Sequence, residues 1–147
     1  MSIQQRGKFN FGKMIQQSKI QKNRLPVKIG IEAKKWYLIG FRQGGGQTDE
    51  GKWKQRKNKD KNKQSRALLV KSGILRNSIT VLKSNWDNII IGSRGIIYAA
   101  IHNFGLRGRA FGKYAFTMPK REFIGQSTTL NRKIFIMINE QFRRIFK

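Results

Sequence analysis

The residues that could do chemistry are few and far apart. The single histidine, His102, lies in the apolar run Tyr98-Ala99-Ala100-Ile101-His102-Asn103-Phe104 with no acid near it in sequence. A general base needs a group that orients it and a proton within reach, so a packing histidine is the expected role. The acids are Glu32, Asp49, Glu50, Asp60, Asp87, Glu122 and Glu140, and only Asp49 and Glu50 are adjacent. A metal-dependent nuclease requires carboxylates converging on a cation. Asp87 and Glu122, with the Asp49-Glu50 pair, are the set that could converge, but nothing in their spacing demands it. Gly44-Gly45-Gly46 lacks the Gly-Lys-Ser/Thr ending of a phosphate-cradling loop. The chain has no cysteine, which removes disulfides and thiolate metal sites. The expectation is a protein that is not an enzyme and carries no metal or cofactor.

Charge is the stronger signal. Thirty-two Lys and Arg against seven acids give a net charge of +25 over 147 residues. Such an excess repels itself in a compact fold, and a polyanion or an acidic partner surface relieves it. The densest block is Gly51 to Arg66, with six Lys and two Arg against Asp60, a net +7. It holds too little apolar surface to fold alone and reads as a flexible arm. Contacts from such an arm to nucleic acid would be to phosphates, salt-dependent and blind to sequence. A free, sequence-nonspecific nucleic-acid-binding protein is therefore one reading of the chain, with the charge as its warrant. Trp53 stands out within the block. It either pins the arm to the body or docks on a neighbouring subunit, since tryptophan favours interface centres.

The elements that must position these groups can be read from periodicity. The length suits one domain over residues 1–147. Phe11, Met14, Ile15 and Ser18 share a helical face, and residues 10–24 are predicted to form a helix ended by Leu25-Pro26. A second helix is predicted over 27–43, with Ile29, Ala33, Trp36, Tyr37 and Gly40 on one face. Residues 44–66 read as a loop. Alternation over 78–83 and again over 88–92, with a polar turn between, predicts an antiparallel hairpin. A short helix follows at 96–104, stopped by Gly105. Residues 105–118 are basic and glycine-punctuated, and read as an irregular hairpin or long loop, with part of 110–118 joining the sheet. Over 126–146, Ile134, Phe135, Ile138, Phe142, Ile145 and Phe146 form one wide helical face. Ile136 and Met137 fall off that face, which suits a subunit contact. The fold class expected is α+β, a small, mainly antiparallel sheet packed by N-terminal and C-terminal helices, with a long basic loop. No apolar run approaches the roughly 20 residues of a membrane span, and the first residues lack the apolar core of a signal peptide.

Four stretches occur in an order that is familiar as a set. The first is Phe41-Arg42-Gln43, closing a long helix before a loop with Gly51-Lys52-Trp53. The second is Leu68-Leu69-Val70-Lys71-Ser72-Gly73-Ile74-Leu75-Arg76-Asn77-Ser78-Ile79. The third is Ile91-Gly92 followed by Tyr98-Ala99-Ala100-Ile101-His102-Asn103-Phe104-Gly105. The fourth is Pro119-Lys120-Arg121-Glu122-Phe123-Ile124-Gly125 before a terminal helix. In this the chain resembles the phage virion morphogenesis, or tail-completion, family of the Mu-like phage type, over roughly residues 35–146. Ser72 stands where threonine is usual, and Glu122 where a second proline is usual.

The resemblance implies a non-enzymatic virion component, made in the host bacterial cytoplasm and incorporated at the head-proximal end of the tail. It implies tail completion and head–tail joining, in a homo-oligomeric ring, commonly sixfold, that meets tail tube and connector proteins and surrounds packaged DNA. Contacts to DNA or to acidic partners are expected from Lys52, Lys54, Arg56, Lys57, Lys59, Lys61, Lys63, Arg107, Arg109 and Lys113. Subunit contacts are expected from Trp53, Phe111, Tyr114, Ile136 and Met137.

Overall fold

The computed structural model describes residues 11–55, 67–110 and 112–145. Helix α1 (Phe11–Gln43) runs unbroken for 33 residues with Pro26 inside it. This corrects the expectation of two helices parted at Leu25-Pro26. A proline in a helix interior loses a hydrogen bond and crowds the preceding turn, at a cost of about 3 kcal/mol. Against that stands a buried stripe of Leu25, Ile29, Ala33, Tyr37 and Phe41, each four residues beyond the last. Full burial of one Leu or Ile contributes about 1.5–3 kcal/mol, so the stripe carries the helix through the proline. Val27 and Ile31, off that stripe, lie on the exposed side.

Beyond α1 the described part of the expected loop is irregular but tightly folded. Residues 44–55 double back on themselves, with the Gly46 N–H donating to Gly51 O at 2.8 Å and the Trp53 N–H to Gly44 O at 2.8 Å. The remainder of the expected arm, 56–66, lies outside the described residues. Trp53 is 5% exposed. Its ring stands edge-on to Phe41 with centroids 5.4 Å apart, and its indole N–H donates to Glu122 O at 2.8 Å. Of the two roles expected for Trp53, the structure realises the pinning one. It is the one large apolar group of the Gly51–Arg66 block, and its ring is buried within its own chain.

The next elements form the second half of the body. Helix α2 (Ile74–Ser78) leads directly into β1 (Ile79–Ser84), which pairs antiparallel with β2 (Ile89–Ser93). Asn85 closes the turn: its side-chain oxygen accepts the Asn88 N–H at 2.7 Å. The register slips between Val81 and Lys83, which turns Leu82 outward. α1 is the common neighbour of this hairpin and of the last helix, α4 (Thr128–Ile145). One core cluster gathers Phe41, Trp53, Leu68, Leu75, Ile79, Ala99 and Phe123. A second joins Ala33 and Tyr37 to Leu130 of α4.

The start of α4 is fixed from a distance. Asp49 accepts from the Thr128 N–H at 2.9 Å and the Thr128 hydroxyl at 3.0 Å. A carboxylate here satisfies a free N–H and complements the helix dipole. The inward side of α4 is Leu130, Ile134, Ile138, Gln141 and Ile145. Phe135 and Phe142, expected on that face, are instead exposed. Phe146 lies outside the described residues. Adjacent residues on a helix point about 100° apart, so Ile134 and Phe135 cannot both meet the single helix α1.

Helix α3 (Ala99–Phe104) is shorter than the predicted 96–104. Among the described residues the last two strands, β3 (Arg107–Ala110) and β4 (Tyr114–Thr117), pair only with each other. The expected third strand of one sheet is therefore a separate two-stranded ribbon. Arg107, Gly108 and Arg109 offer no apolar face to lay on the core, and β3 and β4 supply each other's backbone partners.

Candidate assembly interface

The ribbon springs from a tightly built root. Gly105 ends α3 in a left-handed conformation, φ 68°, and its N–H donates to Ile101 O. A Cβ at Gly105 would sit 2.9 Å from the Lys120 nitrogen, so only glycine lets the outgoing and returning strands cross here. Asn103, 6% exposed, clamps them together. Its Oδ1 accepts from the N–H groups of Phe123 and Ile124 at 2.9 and 3.1 Å, and its Nδ2 donates to Ile124 O at 2.9 Å. The Arg121 N–H donates to His102 O at 2.9 Å. The Arg121 guanidinium reaches back to Lys54 O at 3.1 Å, which ties the beginning of the basic arm to the same root.

The ribbon itself has two unlike faces. Opposed residues of an antiparallel pair share a face, and neighbours along a strand alternate. Arg107 opposite Thr117 and Arg109 opposite Ala115 make one face. Phe116 opposite Gly108, with Tyr114, makes the other. A Cβ at Gly108 would lie 2.6 Å from the Phe116 ring, so the ring rests across that glycine. Arg107, Arg109 and Lys113 are exposed, and Tyr114 is 69% exposed. Among the described residues the ribbon makes at most marginal contact with the helices and the first hairpin. A lone two-stranded hairpin is marginally stable in water, and the described helices and first hairpin leave the cationic and aromatic faces of this one largely uncovered.

The other expected contact residues divide by location. Lys52 and Lys54 are exposed beside the root. Arg56, Lys57, Lys59, Lys61, Lys63 and Phe111 lie outside the described residues. Ile136 is half exposed and Met137 half-buried, on α4. Phe135, 64% exposed, adjoins Ile136 and was missed as a surface group because its spacing fits the apolar face. Asn103 was also missed, although a lone asparagine before Phe104-Gly105 in an apolar run is a legible sign of a backbone clamp.

The groups considered for chemistry have other occupations. Asp49 caps α4. Glu50 lies 2.6 Å from the Lys120 ammonium and Glu122 lies 4.0 Å from it, and Glu50 holds that ammonium above the usual lysine range. Asp87 sits in the exposed turn between β1 and β2. Among the described residues no three His, Asp or Glu gather as metal ligands. His102 packs edge-on to Tyr98 at 5.8 Å. Burial, then the neighbouring Arg121 charge, hold its pKa below the ordinary value. Its buried Nδ1 has no partner among the described residues.

A hydrogen-bonded root, a ribbon with two unlike faces and a large cationic excess are what this region of the molecule presents. The chain belongs to the phage virion morphogenesis family, whose model matches residues 11–143. This makes it a protein of phage assembly. No curated protein and no solved structure matches it significantly. No helix among the described residues is long and apolar enough to cross a membrane.

Proposed function

We propose that this protein completes the tail and joins it to the head, as one copy in a ring at the head-proximal end of the tail. The observation that carries the reading is the β3–β4 ribbon, whose strands pair with no other strand among the described residues and which presents opposite chemistries on its two sides. A head-to-tail ring uses one such asymmetric contact repeatedly until it closes. In this reading Tyr114 and Phe116 meet the next copy. Arg107, Arg109 and Lys113, with Lys52 and Lys54, face packaged DNA or the acidic surfaces of tail tube and connector proteins. Six copies is the expected number.

The test is electron microscopy of lysates from a phage lacking this gene. Full heads beside separate tails of normal length support joining. Overlong or uneven tails support termination. Normal joined particles overturn both. The net charge of +25 favours a second reading, a free sequence-nonspecific DNA-binding protein. That reading requires the isolated chain to bind duplex DNA with a steep salt dependence.

A further inference from the structure

A groove of about 620 Å³ runs between α1, α2 and the start of β1, away from every residue discussed above as a contact. Lys34, Lys35 and Arg42 of α1 and Arg76 of α2 supply its cations, and Leu38, Ile39 and Ile79 its apolar lining. Ile79 is fully buried and Ile39 is 38% exposed, so the apolar groups range from beneath the groove to its open side. Glu32 pairs with Lys35 at 2.8 Å. Lys34, Arg42 and Arg76 make no ion pair among the described residues.

We infer that this groove binds an acidic, amphipathic segment of a different protein. This names the chemistry of one partner within the assembly reading and rests on it. Charge complementarity selects the occupant. A second copy of this chain is unsuited, because it carries +25 and its acids are largely committed. Glu32, Asp49, Glu50 and Glu122 already have internal partners. Asp87 and Glu140, the remaining acids among the described residues, lie far apart in sequence. The apolar lining selects against a nucleic-acid backbone. Phosphates are met by the tips of cations and hydrogen-bond donors, and a duplex would leave Leu38 and Ile39 unused. A peptide whose carboxylates flank aliphatic side chains satisfies both parts of the groove, as helix-in-groove partners do.

The experiment uses the purified full-length chain and fluorescence anisotropy at physiological ionic strength. The probe is a short labelled peptide of repeating Leu-Glu-Glu units, beside a labelled DNA duplex of equal charge. The groove variant is Lys34→Gln/Arg42→Gln/Arg76→Gln. Its control, Lys28→Gln/Lys83→Gln/Arg143→Gln, removes the same charge from exposed positions elsewhere. The groove variant is expected to weaken peptide binding about tenfold, and the control less than about twofold, because contact pairs exceed screened distant charges. Ile39→Ser is expected to weaken it about threefold through lost apolar contact. Equal losses in groove variant and control would reduce the binding to bulk charge and overturn the proposal. So would no peptide binding by the unaltered chain, or a groove variant that loses the duplex and keeps the peptide. Because the readout needs no virion, a failure here is separable from a failure of the tail-completion reading.

Discussion

At the root of the ribbon, Asn103 is 6% exposed and joins two backbone segments through three hydrogen bonds. A few residues along the same chain, Tyr114 is 69% exposed and, among the described residues, the ribbon's strand pairing is confined to itself. The root shows what an element looks like when its own chain satisfies it. The ribbon shows one that the rest of the described chain leaves open, and in the function proposed above another molecule covers it. In that reading stability and assembly fall to neighbouring stretches, and substitutions should separate them.

The largest effect on folding belongs to Trp53. Trp53→Ala empties a core site beside Phe41 and Phe123 and leaves Glu122 O without its donor, so a loss of about 3–5 kcal/mol is expected in urea unfolding. A loss below about 1 kcal/mol would move Trp53 out of the root and back among candidate docking groups. Asn103→Ala comes next. It strands the buried N–H groups of Phe123 and Ile124, and a loss of about 2–3 kcal/mol is expected. A near-neutral result would mean the root is held by packing alone.

The ribbon should respond in the opposite sense. Gly108→Val drives a side chain into the Phe116 ring and disorders the aromatic face. The unfolding free energy of the body should change by less than about 0.5 kcal/mol, as for surface sites generally, while the yield of joined virions falls sharply. Arg107→Glu/Arg109→Glu leaves the aromatic face in place and should likewise spare stability. Its assembly defect should be smaller and eased at altered ionic strength, as exposed charge contacts are. Strong destabilisation by either ribbon variant would show that the ribbon belongs to the fold, and the contrast would collapse.

The helix at the root and the first hairpin were legible in sequence because the signals were local. Tyr98 to Gly105 reads as a helix stopped by glycine, and 78–83 with 88–92 as a hairpin, from a few neighbouring residues each. What was misread depends on contacts across the chain. Pro26 ends a helix by local rules, and only the burial of Leu25 and Ile29 against other elements carries α1 through it. Phe135 fits the apolar face of α4 by spacing, and it is the packing of α4 through Leu130 and Ile134 on one side that leaves it outward. Trp53 carries no local signal that separates core from interface. The groove cations Lys34, Lys35 and Arg42 look like an ordinary solvated helix face until α2 brings Arg76 beside them.

The smallest expected effect probes how dry the root is. His102 lies there with its pKa below the ordinary 6.5, first through burial and then through Arg121. On acidification the unfolded chain therefore takes up this proton before the folded one. The stability contributed by a neutral His102 is complete above that ordinary value and declines as pH falls through it. The melting temperature should accordingly drop between about pH 7.5 and about pH 5, and His102→Gln should flatten part of that decline without altering the behaviour above it. Parallel melting curves for the two proteins across this range would mean that His102 titrates as if exposed. Water would then reach the residues beneath Arg121, and the root would be less sharply distinguished from the ribbon it supports.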